Sequence, residues 1–218
     1  MSTEHDKLKA CLNGRFPMVN GFDLTNDKMI RTIDRYLAHY GPASFVNCTM
    51  PHDLDGNPKG CRFIACRFPG RHLFAYHNIS DCEFDRCDLS LVSFKNATLK
   101  NTTFHECNLT NANLEGAAAN RVHFSHCPSV IDAGSDHRYF KFLAIKDDDA
   151  GYMVKAGCRW FTRTHAIRHW VRKPYPSEDI LCKLVDFEVI AMYRDWIGDI
   201  DPQILGFINN SMGRGKQQ

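Results

Sequence analysis

A large apolar residue recurs every five positions through the middle of the chain. The series runs Ile79, Phe84, Leu89, Phe94, Leu99, Phe104, Leu109, Leu114, Ala119 and Phe124. Two positions before each of these lies a mostly small residue, and the positions between are mostly polar. A helical face needs spacings of three and four, and a strand needs a spacing of two, so neither explains this period. The pattern predicts a coil with four sides of five residues, in which each central residue and the residue two before it point inward.

Four such sides make a coil of 20 residues, so residues about 20 positions apart should lie on top of each other. Stacked coils are expected about 4.8 Å apart, the usual separation of paired strands. An earlier run has the same spacing and joins the register if one extra residue is inserted between Phe68 and Ile79. The predicted columns contain Phe63, Phe84, Phe104 and Phe124 in one case and Cys66, Cys87, Cys107 and Cys127 in the other.

The most regular stretch is Ala112-Asn113-Leu114-Glu115-Gly116. Residues 61 to 127 resemble the pentapeptide-repeat family, whose consensus is a small residue, Asp or Asn, Leu or Phe, a polar residue and any residue. The resemblance implies a mainly β fold built on a short right-handed quadrilateral β-helix. It also implies a surface that contacts a macromolecule and catalyses nothing.

The flanking segments predict other elements. Met29, Ile30, Ile33 and Leu37 form an apolar stripe at helical spacing, which predicts a helix over residues 27 to 40 that caps the β-helix. The loop His52 to Gly60 is expected to project from the rod. After Cys127 the period stops, and the pattern predicts a small α+β domain. Its predicted elements are a hairpin of Tyr139 to Ile145 and Tyr152 to Cys158, a short helix ended by Pro174, and a longer helix from Ser177 to Gly198. The predicted domains are residues 1–42, 43–130 and 131–212, followed by a disordered tail at 213–218.

The C-terminal segment from Gly151 to Trp170 is similar to a small domain found at the end of many phage and prophage proteins. It contains the strings Ala156-Gly157-Cys158-Arg159-Trp160-Phe161 and His169-Trp170. This resemblance implies a bacteriophage or mobile-element origin and transfers no residue role.

Composition limits the function classes. The 27 basic and 25 acidic side chains nearly cancel, which gives no general attraction to nucleic acid or anionic lipid. No apolar run approaches the roughly 20 residues of a membrane helix, and the first 15 residues lack an apolar signal core. We therefore expect a cytoplasmic protein, which would lie in the bacterial host cytoplasm if the gene is carried by a phage. Its ten cysteines are expected to stay reduced, and seven of them are expected to be small inward residues of the coil.

Two groups of C-terminal residues are candidate sites. Cys158, His165, His169 and Cys182 offer two sulfur and two nitrogen ligands for zinc, but no Cys-x-x-Cys element anchors them, so no metal or other cofactor is predicted. Cys158 and His165 could form a catalytic thiolate pair, but no third residue that would orient them is evident, so no enzyme is predicted either. The basic patch that could contact nucleic acid or an acidic partner consists of Arg159, Trp160, Arg163, Arg168 and Arg172.

The leading hypothesis is a non-catalytic protein-interaction module, phage-encoded, that binds and inhibits a host bacterial protein such as a defence or nucleic-acid-processing complex. The alternative is a DNA mimic that acts on a type II topoisomerase, as some pentapeptide-repeat proteins do. Those rods are strongly acidic, whereas residues 61 to 127 carry seven basic and six acidic side chains. A second alternative is a zinc-binding or enzymatic C-terminal domain. A nucleic-acid partner is not favoured, a membrane is excluded, and the sequence leaves the oligomeric state open.

Overall fold

The structure is a computed structural model that describes residues 2–70, 73–119, 121–135, 141–157, 159–171 and 178–214. The chain divides into two compact units, Met1–Ser129 and Val130–Gln218. The predicted boundary at residue 42 lies inside the first unit, and the predicted boundary at residue 130 lies where the two units meet in sequence. The helix α5, described below, ends at Arg214, so the predicted disordered tail begins within its last turn.

One side of the first unit is a six-stranded parallel sheet in the order β1-β2-β3-β4-β5-β6. Its strands are β1 (Met18–Asn20), β2 (Ser44–Val46), β3 (Arg62–Ile64), β4 (Glu83–Asp85), β5 (Thr103–His105) and β6 (His123–Ser125). Phe84 pairs with Phe104 and Phe104 with Phe124, so one coil takes 20 residues. Phe63 pairs with Phe84, which places one extra residue in the coil between them. The other sides are joined by isolated parallel bridges, such as Asp88 to Asn108 and Thr98 to Ala118.

The corners of the coil have a regular backbone conformation. At every fifth residue from Tyr76 to His126, φ is positive and lies between 51° and 66°. These residues follow the inward central residues by two positions, so a left-handed residue turns the chain from each side to the next. For residues other than Gly, Asn and Asp this conformation costs about 1–2 kcal/mol, which the backbone hydrogen bonds between coils must offset. The predicted fold class is confirmed, with a β-solenoid of parallel strands, an N-terminal helix and a C-terminal region of helices and strands. The right hand of the coil stays a prediction.

The interior of the solenoid is a stack of aromatic rings. Phe63, Phe84, Phe104 and Phe124 lie in one column, and neighbouring ring centroids are 4.9 to 5.0 Å apart. The column continues to Phe45, 5.3 Å from Phe63. A second column places Phe74 5.4 Å from Phe94. The rings of the two columns meet edge to face, as between Phe94 and Phe104, which is an arrangement that aromatic pairs favour.

The solenoid begins earlier than the repeat pattern indicates. Strand β1 forms the first side of an extra coil, and α2 (Asp27–His39) occupies the segment in which two further sides would lie before β2. Asn26 caps α2, because its side chain accepts a hydrogen bond from the Met29 amide. A second helix, α1 (Glu4–Leu12), packs on α2 and β1 and buries Leu8 and Leu12.

The loop at 52–60 does not project from the rod. Leu54, Gly56 and Pro58 are buried, and the Gly56 amide donates to the Asp34 carboxylate of α2 at 3.1 Å. The loop packs on α2 because both segments fill the space that complete coil sides occupy further along the solenoid.

The second unit is a four-stranded antiparallel sheet with three helices. The sheet order is β10-β9-β8-β7, formed by β7 (Val130–Ser135), β8 (Lys141–Asp147), β9 (Gly151–Ala156) and β10 (Arg159–Thr162). The helices are α3 (Arg163–Val171), α4 (Glu178–Tyr193) and α5 (Pro202–Arg214). The core of this unit buries one apolar face of α4, formed by Ile180, Leu184, Phe187 and Ala191.

Three elements of this unit were missing from the sequence prediction. The hairpin of β8 and β9 corresponds to the predicted one, but β7 and β10 extend it to a sheet of four strands. The prediction ended at Gly198 and missed α5, which starts at Pro202 with the Gln203 amide bonded to the Asp201 side chain. The Asp-Pro pair is a helix-start signal that was available in the sequence.

Candidate interaction surfaces

The outward side chains of β1–β6 form two straight columns, which we call the β1–β6 face. The first column contains Met18, Ser44, Arg62, Glu83, Thr103 and His123, and the second contains Asn20, Val46, Ile64, Asp85, His105 and Ser125. Because every strand is paired in register with the next, these side chains stand on a backbone that has little freedom to move.

The charges on this face are paired with each other. Arg62 makes two hydrogen bonds to the Glu83 carboxylate, at 2.8 and 3.2 Å, across neighbouring coils. Arg86 lies 2.8 Å from the Asp85 carboxylate at the adjoining corner. Val46 and Ile64 are half-buried neighbours in the second column. The face therefore carries one pair of adjoining apolar side chains beside ion pairs that leave little net charge.

The cysteines of the solenoid form a ladder inside the coil. Cys48, Cys66, Cys87, Cys107 and Cys127 are buried at the same position of successive coils. Each thiol donates to a main-chain carbonyl of the preceding coil, for example Cys66 to Phe45 at 3.3 Å and Cys107 to Phe84 at 3.4 Å. Neighbouring thiols and burial raise the pKa of Cys48, Cys87 and Cys127.

Two further thiols stand apart from this ladder. Burial raises the pKa of Cys61 to about 11 and that of Cys82 to about 12. Such thiols stay protonated at neutral pH and are poor nucleophiles, because the thiolate is the reactive form. Cys61 and Cys82 therefore serve as packing residues of the coil.

The predicted basic patch of the second unit is divided by the structure. Arg163 is turned inward and makes two hydrogen bonds of 2.7 Å to the fully buried carboxylate of Glu188. Its charge is therefore unavailable to a partner. Arg159 and Arg168 are exposed and Trp160 is half-buried, whereas Arg172 lies outside the described residues.

The Glu188 carboxylate is the centre of a hydrogen-bonded network. It also accepts from the Tyr152 hydroxyl at 2.6 Å and from the Asp201 amide at 2.7 Å. Burial and the Glu188 charge raise the pKa of Tyr152, so its hydroxyl remains a donor at all ordinary pH values. Four donors surround one carboxylate, which makes this network a structural junction between β9, α3 and α4.

The described residues among the candidate zinc ligands do not form one cluster. Cys158 lies outside the described residues, while His165 on α3 and Cys182 on α4 are exposed. The His169 ring stacks on Phe161 and its Nε2 atom lies 3.0 Å from Arg159 Nη1. Within the described ranges, no three His, Cys, Asp or Glu side chains lie together as metal ligands would. Nor is any helix of that part of the chain long and apolar enough to cross a bilayer.

A third surface was missed by the sequence prediction. Two adjoining depressions of about 640 and 430 Å³ lie along α1, α2 and the segments that enter β1 and β2, and we call them together the cap groove. Leu12, Asn13, Tyr36 and Tyr40 line both depressions, so the groove is continuous. Its charged lining residues are Lys9, Arg15, Lys28, Arg31, Arg35 and Arg62.

Comparison with known proteins assigns only the repeat region. Residues 59–129 match a family model described as a pentapeptide repeat region. Neither the curated proteins nor the solved structures contained a significant match to the chain. The family match agrees with the observed solenoid and is typical of a binding or structural module. Residues 59–129 are thus similar to pentapeptide repeats, and the comparison assigns nothing to the other residues.

Proposed function

We propose that this protein is a non-catalytic interaction module whose β1–β6 face binds a folded protein partner. The observation that carries the proposal is the paired register of six strands, which holds two columns of side chains on a rigid surface. At the usual strand spacing this surface is about 24 Å long. Little conformational freedom is lost when such a surface binds, so more of the contact energy remains as affinity.

The composition of the face favours a protein partner. Half-buried Val46 and Ile64 form an apolar pair, and the ion pairs of Arg62 with Glu83 and of Arg86 with Asp85 lie beside it. Protein interfaces commonly combine a desolvated centre that is poor in charge with a polar rim. Nucleic acid would instead require an excess of unpaired cations on the face.

The proposal includes an origin and a class of target. The similarity of the C-terminal segment to domains of phage proteins supports a phage-encoded protein that acts in the host cytoplasm. The target would then be a host bacterial protein, such as a defence or nucleic-acid-processing complex, which binding would inhibit.

The alternatives have less support. Mimicry of DNA requires an acidic stripe, but along the solenoid Glu83, Asp85 and Glu115 pair with Arg62, Arg86 and Lys95. A zinc-binding or enzymatic C-terminal domain requires converging ligands or a nucleophile with its base. In that unit the buried Glu188 is fully occupied by structural donors, so it offers no free base.

The test combines capture of the partner with a disrupted face. The tagged full chain is incubated with bacterial lysate, bound proteins are identified by mass spectrometry, and the affinity of the purified partner is measured. The test variant combines Val46→Lys with Ile64→Lys. The control combines Thr98→Lys with Ala118→Lys, which adds the same charges at two exposed, paired residues on another side of the solenoid.

We expect the wild-type chain and the control to retain a stoichiometric partner and the test variant to lose it. Circular dichroism and thermal unfolding establish that each variant is folded. The absence of any stoichiometric partner would contradict the proposal. Undiminished binding by a folded test variant would place the interface elsewhere.

A further inference from the structure

The cap groove concentrates positive charge in a chain whose charges otherwise nearly cancel. Six cations line it, and no Asp or Glu is among its described lining residues. Arg62 pairs with Glu83, whereas Lys9, Arg15, Lys28, Arg31 and Arg35 have no ion-pair partner among the described residues and are exposed. A cleft lined by charges of one sign raises the local concentration of ligands of the opposite sign.

The titration of a neighbouring histidine is consistent with this positive field. His5 lines the groove, and its Nε2 atom lies 2.8 Å from the Thr32 hydroxyl. Burial, followed by the charges of Lys28 and Lys9, lowers the pKa of His5. An anion bound between α1 and α2 would be favoured by the same charges.

Exposed aromatic rings border these cations. The Tyr40 side chain is 74% exposed, and one face of its ring stacks on Tyr36 with centroids 5.6 Å apart. Phe16 is 84% exposed, with the Arg15 guanidinium 5.7 Å from its ring centre. Rings of this size are usually buried, and an open ring beside cations is the arrangement on which unpaired bases stack.

We infer that the cap groove binds single-stranded nucleic acid, a role separate from the binding of a protein by the β1–β6 face. Lys28, Arg31 and Arg35 follow one another at intervals of three and four residues, so they lie on one face of α2, about 4.5 and 6 Å apart along its axis. These cations contact successive phosphates, and Lys9 contacts the same strand from α1. Tyr40 and Phe16 stack on its bases.

The aromatic rings select this occupant over two other polyanions. An acidic peptide satisfies the cations but gives Tyr40 and Phe16 no planar base to contact. A duplex offers phosphates but keeps the faces of its bases stacked inside the helix. Of these three polyanions, only a single strand offers both phosphates to the cations and open base faces to the rings.

The test measures fluorescence anisotropy of a labelled dT12 oligonucleotide with the full-length protein. The same measurement is made with a 12-bp duplex and with an oligo-glutamate peptide of equal charge. The charge variant combines Arg31→Gln with Arg35→Gln. Its control combines Lys100→Gln with Arg121→Gln, two exposed cations on the solenoid outside the groove. The stacking variants are Tyr40→Ala and Phe16→Ala.

Four phosphate contacts predict that log K for dT12 falls with log salt at a slope of about −3. The charge variant should halve this slope to about −1.5 and weaken binding about tenfold or more at low salt, while its control changes neither. Tyr40→Ala should weaken dT12 binding about fivefold or more and leave oligo-glutamate binding unchanged. Equal binding of oligo-glutamate or duplex, or unchanged dT12 binding by Tyr40→Ala and Phe16→Ala together, would overturn the inference.

Discussion

The phenyl rings of Phe84 and Phe104 lie 5.0 Å apart between centroids and within 6° of parallel. Twenty residues separate them, and their strands pair directly. The distance between the rings matches the separation of neighbouring strands, so the side chains stack at the interval set by the backbone. The stack joins each coil to the next through the core as well as through main-chain hydrogen bonds.

This stacking predicts a favourable coupling between neighbouring rings. Phe84→Leu and Phe104→Leu should each destabilise the protein, and the double variant should lose less than the sum of the two. The coupling energy should be about 0.5–1.5 kcal/mol, which is typical of aromatic pairs. Urea unfolding followed by circular dichroism measures it. Phe45 and Phe104 do not touch, so the effects of their substitutions on stability should be additive within about 0.5 kcal/mol. A coupling energy of equal size in both pairs would contradict the stacking of neighbouring rings in one column.

The packing of the 52–60 loop on α2 predicts that Gly56 tolerates no side chain. A Cβ atom at Gly56 would lie 2.9 Å from Leu37 Cβ and 3.1 Å from the Asp34 carbonyl oxygen. Gly56→Ala should cost about 1–3 kcal/mol in the free energy of unfolding, as overpacking usually does. Gly14→Ala is the control, because the nearest atom to its added Cβ is 3.6 Å away. Equal stability of the two variants would show that the loop does not pack on α2 as described.

The buried thiols predict a loss of stability in alkaline solution. The pKa of Cys61 rises from its ordinary value of 9.0 to about 11 on folding, so the folded state holds a proton that the unfolded state releases. The contribution of Cys61 is fully present below pH 9 and is lost as pH rises toward 11; for two pKa units it amounts to about 3 kcal/mol. Urea unfolding at pH 8 and pH 10.5 under reducing conditions should show a smaller decline for Cys61→Ala than for the wild type. Identical declines would contradict burial of this thiol.

The pair of Arg163 and Glu188 predicts a strong effect in the second unit. Arg163→Met should destabilise this unit by about 3–5 kcal/mol, because it leaves a buried carboxylate without its cation. Arg168→Met, which removes an exposed cation of the same helix, should change the stability by less than about 0.5 kcal/mol. Thermal unfolding of the full chain compares the two. A small effect of Arg163→Met would contradict the pairing with Glu188 and would indicate that Arg163 belongs to the exposed basic patch.

The sequence predicts the middle of the solenoid well, because the inward residues of each side are marked by size and by a constant period. It predicts the start poorly. Val19 and Leu24 have the five-residue spacing, but α2 separates β1 from β2 and interrupts the register. Helix α1 has few apolar residues, although the capping box of Thr3 and Asp6 marks its beginning.

Features that depend on distant residues could not be predicted from the pattern. Arg163 resembles a surface cation in the sequence, because Glu188 lies 25 residues away. Lys9 and Arg35 belong to one groove only when α1 packs on α2, so an overall charge near zero gave no indication of it.

The central claim is that the chain completes one coil every 20 residues, and disulfide trapping tests it most directly. Thr103 and His123 are paired neighbours on the β1–β6 face, and Thr103 and Ala118 belong to different sides. Paired parallel residues are about 4.8 Å apart, within the range that a disulfide spans. In a chain carrying Cys11→Ser and Cys182→Ser, Thr103→Cys with His123→Cys should form a disulfide under mild oxidation, identified by mass spectrometry of the linked peptides. Thr103→Cys with Ala118→Cys should not; cross-linking of this second pair and not of the first would contradict the 20-residue coil.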